Sequence, residues 1–137
     1  MPKFKNILLV EDDAITKLVC ERIIKIYDFS ENIVFKENGK EAIDYIQELL
    51  TAQQPLPEII FLDINMPVMN GWEFLKEYEK LLTQCSHTPQ IFILSSTANP
   101  EDFVSANSFK TVNSVLAKPL TKEHLDNIGG RSEINNK

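Results

Sequence analysis

The sequence predicts one α/β domain in which a parallel β-sheet is covered by helices on both faces. Five short apolar runs alternate with longer stretches whose apolar residues recur at helical spacing. Four of the five runs are continuously apolar, as in strands buried on both faces of a sheet. Right-handed crossovers through the intervening helices make such strands parallel. In chain order the runs are Ile7–Val10, Ile33–Phe35, Ile59–Leu62, Ile91–Leu94 and Val115–Ala117.

Length, charge and cysteine content narrow the class of protein. The 137 residues suit one domain, and the net charge of −6 argues against binding to nucleic acid or to a membrane surface. We find no apolar run near the roughly 20 residues that span a bilayer, and no signal-peptide cleavage pattern. Cys20 and Cys85 are too far apart in sequence to suggest a disulfide framework or a metal motif. These features predict a reduced, cytoplasmic domain.

Capping residues mark the expected helix starts. Asn38 and Asn70 each precede a glutamate by three residues, a variant of the capping box. Asn99 stands before Pro100, which suits the first position of a helix. Asp13 either caps the first helix or serves as a metal ligand.

The first helix leaves two interpretations open for some of its apolar residues. Its main apolar stripe is predicted to contain Val19, Cys20, Ile23 and Tyr27, with Cys20 in the core. Ile15 and Leu18 lie off this stripe. They are either partly buried or able to dock the helical bundle of a partner.

The C-terminal segment predicts a short helix and a tail. The helix is expected from about Thr121 to Ile128 and ends at Gly129–Gly130, because glycine is common just beyond a helix. The domain then spans residues 1–130, and residues 131–137 form a polar tail. The 18 residues of Leu120–Lys137 leave no room for an output domain. We therefore expect another protein to read the state of this one.

Polar side chains follow four of the five apolar runs. They are Glu11, Asp12 and Asp13 after the first run, Asp63 after the third, Ser95, Ser96 and Thr97 after the fourth, and Lys118 after the fifth. Ligands of open α/β sheets bind outside the carboxyl ends of the strands, so these side chains are expected at one site. Two like charges about 4 Å apart repel by roughly 4 kcal/mol at an effective dielectric constant of 20. The acids therefore either have a raised carboxyl pKa or bind a cation.

The chemistry of these side chains favours a hard cation. Oxygen ligands without cysteine or a nearby histidine favour Mg²⁺, with Mn²⁺ as a possible substitute. Mg²⁺ is usually held by one or two carboxylates together with phosphate oxygens, which suggests a phosphoryl group as its other ligand. Each acid alone fits a loop, cap or turn, and only the combination indicates a functional site. His87 and His124 lie away from the strand ends and are expected at the surface.

Five motifs in this order resemble the receiver domain of two-component response regulators, in particular stand-alone domains similar to the chemotaxis regulator. They are Val10–Asp13, Leu62–Pro67, Met69–Gly71, Leu94–Ser96 and Ala117–Pro119. The resemblance covers the chain from Lys5 to about Ile128. It implies a flavodoxin-like (βα)5 fold, doubly wound, with strand order 2-1-3-4-5.

The resemblance also implies roles for the acids. Asp63 matches the phosphoacceptor, which takes a phosphoryl group from a sensor histidine kinase or a histidine phosphotransfer protein. Glu11 and Asp12 match the acidic pair that binds Mg²⁺. Asp63 and the backbone carbonyl of Asn65 complete the implied protein ligands.

Three further residues match the machinery that responds to the phosphoryl group. Lys118 matches the lysine that pairs with it, and the Lys118–Pro119 peptide is expected to be cis. Ser95 matches the switch hydroxyl that bonds a phosphoryl oxygen. Thr97, like Asn65, matches a position that tunes dephosphorylation.

One position departs from the family pattern. Val115 stands three residues before Lys118, where the family has an aromatic residue whose rotation accompanies the movement of the switch hydroxyl. Two alternatives remain for this coupling. Either the shift passes through the backbone of the fourth helix, or a neighbour such as Phe109 substitutes for the missing ring.

Three functions remain for these residues. The first is a phosphorylation-driven switch or relay that catalyses only its own phosphorylation and dephosphorylation, as a monomer or a phosphorylation-dependent dimer acting on a downstream protein. The second is a Mg²⁺-dependent phosphatase with Asp63 as nucleophile. Haloacid-dehalogenase-like enzymes need a second Asp two residues later, where this chain has Asn65. The third is an unphosphorylated interaction module, which the complete set of site residues disfavours.

Overall fold

The computed structural model describes residues 3–81, 89–95 and 100–135, and within them strands and helices alternate strictly. The strands are β1 (Phe4–Val10), β2 (Ser30–Lys36), β3 (Ile59–Asp63), β4 (Gln90–Ser95) and β5 (Val112–Ala117). The helices are α1 (Ala14–Ile26), α2 (Gly39–Thr51), α3 (Gly71–Leu81), α4 (Pro100–Asn107) and α5 (Lys122–Asn135). Each predicted apolar run therefore lies within a strand.

The strands form one parallel sheet in the order β2-β1-β3-β4-β5, which confirms the predicted fold and strand order. The chain leaves β1 toward one edge and later continues from β3 toward the other. Ligands bind at such a switch point, outside the carboxyl ends of the strands. The register aligns these ends, with Val10 opposite Leu62, Asp63 opposite Leu94 and Ser95 opposite Ala117.

Two apolar layers cover the sheet because successive residues of a strand point to opposite faces. On one face, Leu8, Leu62 and Ile93 pack with buried residues of α2, α3 and α4. On the other face, the rings of Phe29, Phe61 and Phe92 follow one another with centroid distances of 6.3 and 6.1 Å. Helices α1 and α5 cover this second layer. The central part of the sheet is therefore buried on both faces, as predicted, whereas the edge strands β2 and β5 are only partly buried.

Side-chain caps begin the first three helices. Asp13 accepts a hydrogen bond from the Thr16 N–H (2.8 Å), which confirms that it caps α1. Asn38 caps α2 in the same way. Asn70 and Glu73 each accept the backbone N–H of the other (2.9 and 3.0 Å), a complete capping box at the start of α3. The predicted cap Asn99 lies outside the described residues.

The buried face of α1 differs from the predicted stripe. Cys20 and Ile24, one helical turn apart, point into the core, whereas Val19 and Tyr27 are 40% and 47% exposed. The buried face is therefore rotated relative to the predicted stripe: Cys20 is in the core and Ile23 is partly buried as expected, but Ile24 is buried in place of Val19 and Tyr27. Of the two alternatives for the off-stripe residues, partial burial is wrong for Ile15, which is 72% exposed, and Leu18 is 49% exposed.

Helix α5 is longer than predicted. It continues through Gly129–Gly130 to Asn135, so the predicted end at the glycine pair is wrong. Glycine lowers helix propensity by about 1 kcal/mol relative to alanine, but it does not force a helix to end. In the part of the chain that the structure describes, none of the helices is long and apolar enough to cross a membrane.

Candidate functional site

The carboxyl ends of β1 and β3 bring three acids together. Glu11 follows β1 directly, and Asp63 is the last residue of β3. One carboxylate oxygen from each of Glu11, Asp12 and Asp63 lies within 4.8 Å of the others. Glu11 and Asp63 are only 1% and 6% exposed, whereas Asp12 faces solvent. We refer to these three residues as the acidic cluster.

Lys118, which follows β5, reaches across the sheet edge to the acidic cluster. Its ammonium Nζ lies 2.8 Å from Glu11 Oε1 and 3.2 Å from Asp63 Oδ1. Its backbone N–H donates to the carbonyl of Ser95 (2.8 Å), and the Lys118–Pro119 peptide is cis, as expected. The lysine therefore connects the ends of β1, β3 and β5.

Burial and charge act against each other at this site. Burial raises the pKa of Glu11 and the nearby Asp63 raises it further, while the bond from Lys118 lowers it. Burial lowers the pKa of Lys118, but the hydrogen bond and charge of Glu11 and the charge of Asp63 outweigh this effect and raise it overall. Lys118 is therefore protonated at neutral pH and compensates part of the negative charge.

The acidic cluster fits a small, hard cation. Three carboxylates against one ammonium leave a formal charge of −2, and all the donors are oxygens. Opposite ligands of Mg²⁺ are about 4.2 Å apart, because each Mg–O distance is about 2.1 Å. Oxygens within 4.8 Å of one another can therefore bind one such ion after a small adjustment. Asn65 lies two residues beyond Asp63 with its side chain exposed, and the role of its carbonyl stays a prediction.

The loop between β3 and α3 fixes the backbone of Asp63. The Gly71 N–H donates to the carbonyl of Ile64 (2.9 Å), and a Cβ on Gly71 would lie 2.7 Å from the carbonyl oxygen of Asp63. Only glycine lets the start of α3 approach so closely. In the same loop, Val68 has a φ of 68°, a left-handed conformation that is strained for a β-branched residue. The motif containing Gly71 signals this loop in the sequence, although not the contact itself.

Ser95 ends β4 and interacts with helix α4. It is 6% exposed, and its hydroxyl donates to Asp102 Oδ2 at 3.1 Å. The sequence did not indicate Asp102, which the chain pattern presents only as an acid in the first turn of a helix. Ser96 and Thr97 lie outside the described residues, so the role expected of Thr97 stays a prediction.

Val115, at the position where an aromatic residue would be expected, lies in a partly buried region. Val115 packs against the core from β5 and is only half-buried. Phe109, the suggested substitute, stacks on Trp72 with ring centroids 6.0 Å apart and an angle of 9° between the planes. Phe109 therefore contacts the start of α3, the helix that follows the Asp63 loop.

His124 is a capping residue rather than a simple surface histidine. Its Nδ1 accepts the Thr121 N–H (3.1 Å), and its own N–H donates to the Thr121 hydroxyl (3.2 Å) at the start of α5. Burial lowers the pKa of His124. Because an imidazole nitrogen is a rare partner in a capping box, the sequence offers little signal for this role.

Known proteins match nearly the whole chain. The family model of the response regulator receiver domain matches residues 7–128. A crystal structure of a two-component response regulator from Cytophaga hutchinsonii has 30% identity and a TM-score of 0.86 and covers 98% of each chain. The receiver domain of the histidine kinase CKI1 from Arabidopsis thaliana, complexed with Mg²⁺, has 25% identity and a TM-score of 0.80 over 95% of this chain and 91% of that one.

Sequence relatives differ widely in length. The probable methanogenesis regulatory protein FilR2 of Methanothrix harundinacea is 29% identical over 119 residues, which are 87% of this chain and 75% of that protein. A protein-glutamate methylesterase/protein-glutamine glutaminase of Methanococcus maripaludis is 35% identical, but the match covers 56% of this chain and 19% of that protein. The shared part is thus also found within longer proteins.

Proposed function

The chain belongs to the response regulator receiver domain family, and from this membership we propose that Asp63 is its phosphoacceptor. Phosphorylation-activated signalling in two-component systems is the general function of the family, and the comparisons give no support to the phosphatase alternative. One observation carries the proposal. The Asp63 carboxylate is buried at the end of β3, within the acidic cluster and 3.2 Å from the Lys118 ammonium.

The proposed reaction is a phosphoryl transfer between side chains. A carboxylate oxygen of Asp63 forms a bond to phosphorus while the bond from phosphorus to the donor histidine nitrogen breaks, and that nitrogen keeps the electron pair. Such transfers depend mainly on positioning and charge neutralisation, because their transition state is loose. The buried backbone around Asp63 supplies the positioning. Hydrolysis of the acyl phosphate by water returns the carboxylate and releases inorganic phosphate.

Charge neutralisation comes from two sides in this proposal. Lys118 already lies within hydrogen-bonding distance of Asp63, so its ammonium can pair with a phosphoryl oxygen after transfer. We assign Glu11, Asp12, Asp63 and the carbonyl of Asn65 as the residues that would hold a divalent cation, with Mg²⁺ as the ion and Mn²⁺ as a substitute. When bound, this ion neutralises charge on the phosphoryl oxygens.

The exposed side of α1 is proposed as the docking surface for the phosphodonor. Four apolar residues at helical spacing, which we call the α1 apolar face, are between 40% and 72% exposed: Ile15, Leu18, Val19 and Ile26. Asp13, which caps α1, comes directly after Glu11 and Asp12 in sequence. The α1 apolar face therefore begins beside the acidic cluster. An exposed apolar stripe on a helix suits packing against the helical bundle of a histidine kinase or phosphotransfer protein.

The remaining assignments follow the same proposal. Because α5 continues to Asn135, we place the end of the receiver domain there rather than at the predicted residue 130. We propose that this domain catalyses only its own phosphorylation and dephosphorylation. Its phosphorylated form either binds a downstream protein or passes the phosphoryl group on, as a monomer or a phosphorylation-dependent dimer. The expected cytoplasmic location stays a prediction.

Labelling with a small phosphodonor tests the phosphoacceptor. With acetyl phosphate and Mg²⁺, intact mass spectrometry should show one added phosphoryl group in the wild type and in the control Asp126→Asn, an exposed acid on α5. Asp63→Asn should show none, and EDTA should prevent labelling. Labelling of Asp63→Asn at another residue would contradict the proposal. So would an unlabelled wild type with acetyl phosphate and with a panel of histidine kinases.

A second experiment separates docking from chemistry. Leu18→Glu should slow transfer from a phosphorylated histidine phosphotransfer protein about tenfold or more, because a buried, unpaired charge costs at least about 1.4 kcal/mol at an apolar contact. Its labelling by acetyl phosphate should not change. Val104→Glu, an exposed apolar position on α4, is the control. Equal rates for Leu18→Glu and the control would exclude the α1 apolar face as the docking surface.

A further inference from the structure

The hydrogen bond between Ser95 and Asp102 joins the end of β4 to the first turn of α4. Ser95 is buried, whereas Asp102 is half-buried and lies in the first turn of the helix. The carboxylate of Asp102 can only accept, so the Ser95 hydroxyl is the donor in this 3.1 Å contact. The acidic first turn of α4 is thus connected to the residue that matches the switch hydroxyl.

A serine hydroxyl carries a single proton. If Ser95 donates to Asp102, it cannot at the same time donate to a phosphoryl oxygen on Asp63. The two acceptors also differ in strength. A phosphoryl group carries up to about two negative charges, against one for a carboxylate, and hydrogen bonds become stronger with the charge of the acceptor.

We propose that Asp102 is a positioning residue that competes with the phosphoryl group for the Ser95 proton and thereby couples phosphorylation to helix α4. The proposal rests on Asp63 being the phosphoacceptor. In the unphosphorylated protein Ser95 donates to Asp102 and ties α4 to the sheet. After phosphorylation Ser95 donates to the phosphoryl group, and α4 loses this bond.

The Ser95–Asp102 contact can also transmit the movement of Ser95 to α4 in a chain that has Val115 at the aromatic position. Val115 has neither a ring nor a polar atom in its side chain that could follow a movement of Ser95. A bond from Ser95 directly to α4 needs no such intermediate. Among the α4 side chains that the structure describes, Ala106 is the one that is fully buried, and the Ser95–Asp102 hydrogen bond is a polar contact that joins the helix to the end of β4.

The affinity for beryllofluoride, which mimics the phosphoryl group in the presence of Mg²⁺, measures this competition. Asp102→Ala removes the competing acceptor and should raise the affinity about fivefold, which is within the net contribution of one typical hydrogen bond. Glu101→Ala is the matched control because it removes a neighbouring acid from the same first turn. It should leave the affinity unchanged. If Asp102→Ala does not fold, Asp102→Asn replaces it, with a smaller increase.

A double-mutant cycle distinguishes this role from a general effect on α4. In a Ser95→Ala background, Asp102→Ala should change the affinity less than 1.5-fold, about the precision of the measurement, because the shared proton is absent. Ser95→Thr restores a hydroxyl and should restore the gain. A gain that persists without the hydroxyl, or an equal gain in Glu101→Ala, would overturn the proposal.

The outcome is separable from the assignment of Asp63. Labelling of Asp63 by acetyl phosphate is recorded on the same variants by intact mass. If the wild type is labelled at Asp63 and Asp102→Ala binds beryllofluoride no more tightly, the competition is wrong and the phosphoacceptor stands. If the wild type is not labelled, the phosphoacceptor assignment fails first.

Discussion

Two regions of the sheet's carboxyl edge differ in burial. We call the region around the end of β3 the first half, and the region around β5 and the residues that pack beside it the second half. All five residues of β3 are buried, and the end of this strand carries the Asp63 carboxylate. None of the six residues of β5 is fully buried, although Lys118 follows it directly. The proposed phosphoacceptor thus lies in the most buried half, whereas Val115 and Phe109, the two residues considered for the missing aromatic position, lie in the half-exposed one.

This difference has a physical reason. A phosphoacceptor needs a fixed position, and fixed positions come from close packing on all sides. A response needs an element whose rearrangement costs little free energy, and such elements have few buried apolar contacts. Val115 and Phe109 in the second half contact the core without being enclosed by it.

The largest expected effect is on the free energy of unfolding, when one apolar side chain from each half is truncated to alanine. Phe61→Ala should lower the free energy of unfolding by about 3–5 kcal/mol, because the ring is completely buried between Phe29 and Phe92. Val115→Ala should lower it by only about 1 kcal/mol, since it removes little apolar area from a half-buried site. Urea unfolding measures both values, and similar losses would show that the halves do not differ in packing.

A smaller effect is expected where α3 meets the phosphoacceptor. Gly71→Ala places a methyl group 2.7 Å from the Asp63 carbonyl and should destabilise the protein by about 1–3 kcal/mol. Because the backbone of Asp63 must shift, labelling by acetyl phosphate should also slow. Lys76→Ala, on the exposed side of the same helix, is the control for both measurements. Unchanged labelling in Gly71→Ala would mean that the position of Asp63 tolerates the shift.

The smallest expected effect is a pH dependence of stability that comes from His124 at the start of α5. Burial lowers the pKa of His124 in the folded protein, so the unfolded chain binds the proton more readily. The contribution of His124 is complete above its ordinary pKa of 6.5 and is lost as the pH falls below that value, when protonated Nδ1 no longer accepts the Thr121 N–H. The Tm difference between the wild type and His124→Asn should therefore narrow from pH 7.5 to pH 5.5. A Tm difference that stays the same from pH 7.5 to pH 5.5 would contradict the expected loss of stabilisation by His124 at low pH.

Particular residues show which parts of the fold and of the site could be predicted from the sequence. The apolar runs predicted every strand, and the polar residues after them predicted that Glu11, Asp63 and Lys118 would meet. These predictions depend on periodicity and on which strand end a residue follows, and both are local. Whether Ile24 or Val19 enters the core was not predictable, because both fit an amphipathic helix.

The sequence by itself determined the class of fold and the kinds of group at the site. Strand and helix periods are set by backbone geometry, so the side-chain pattern records them directly. Only the tertiary structure decided that Ser95 donates to Asp102, that Phe109 stacks on Trp72 and that His124 caps α5. Such contacts depend on the distance and direction between two side chains, which are fixed only when the packed elements set their relative positions.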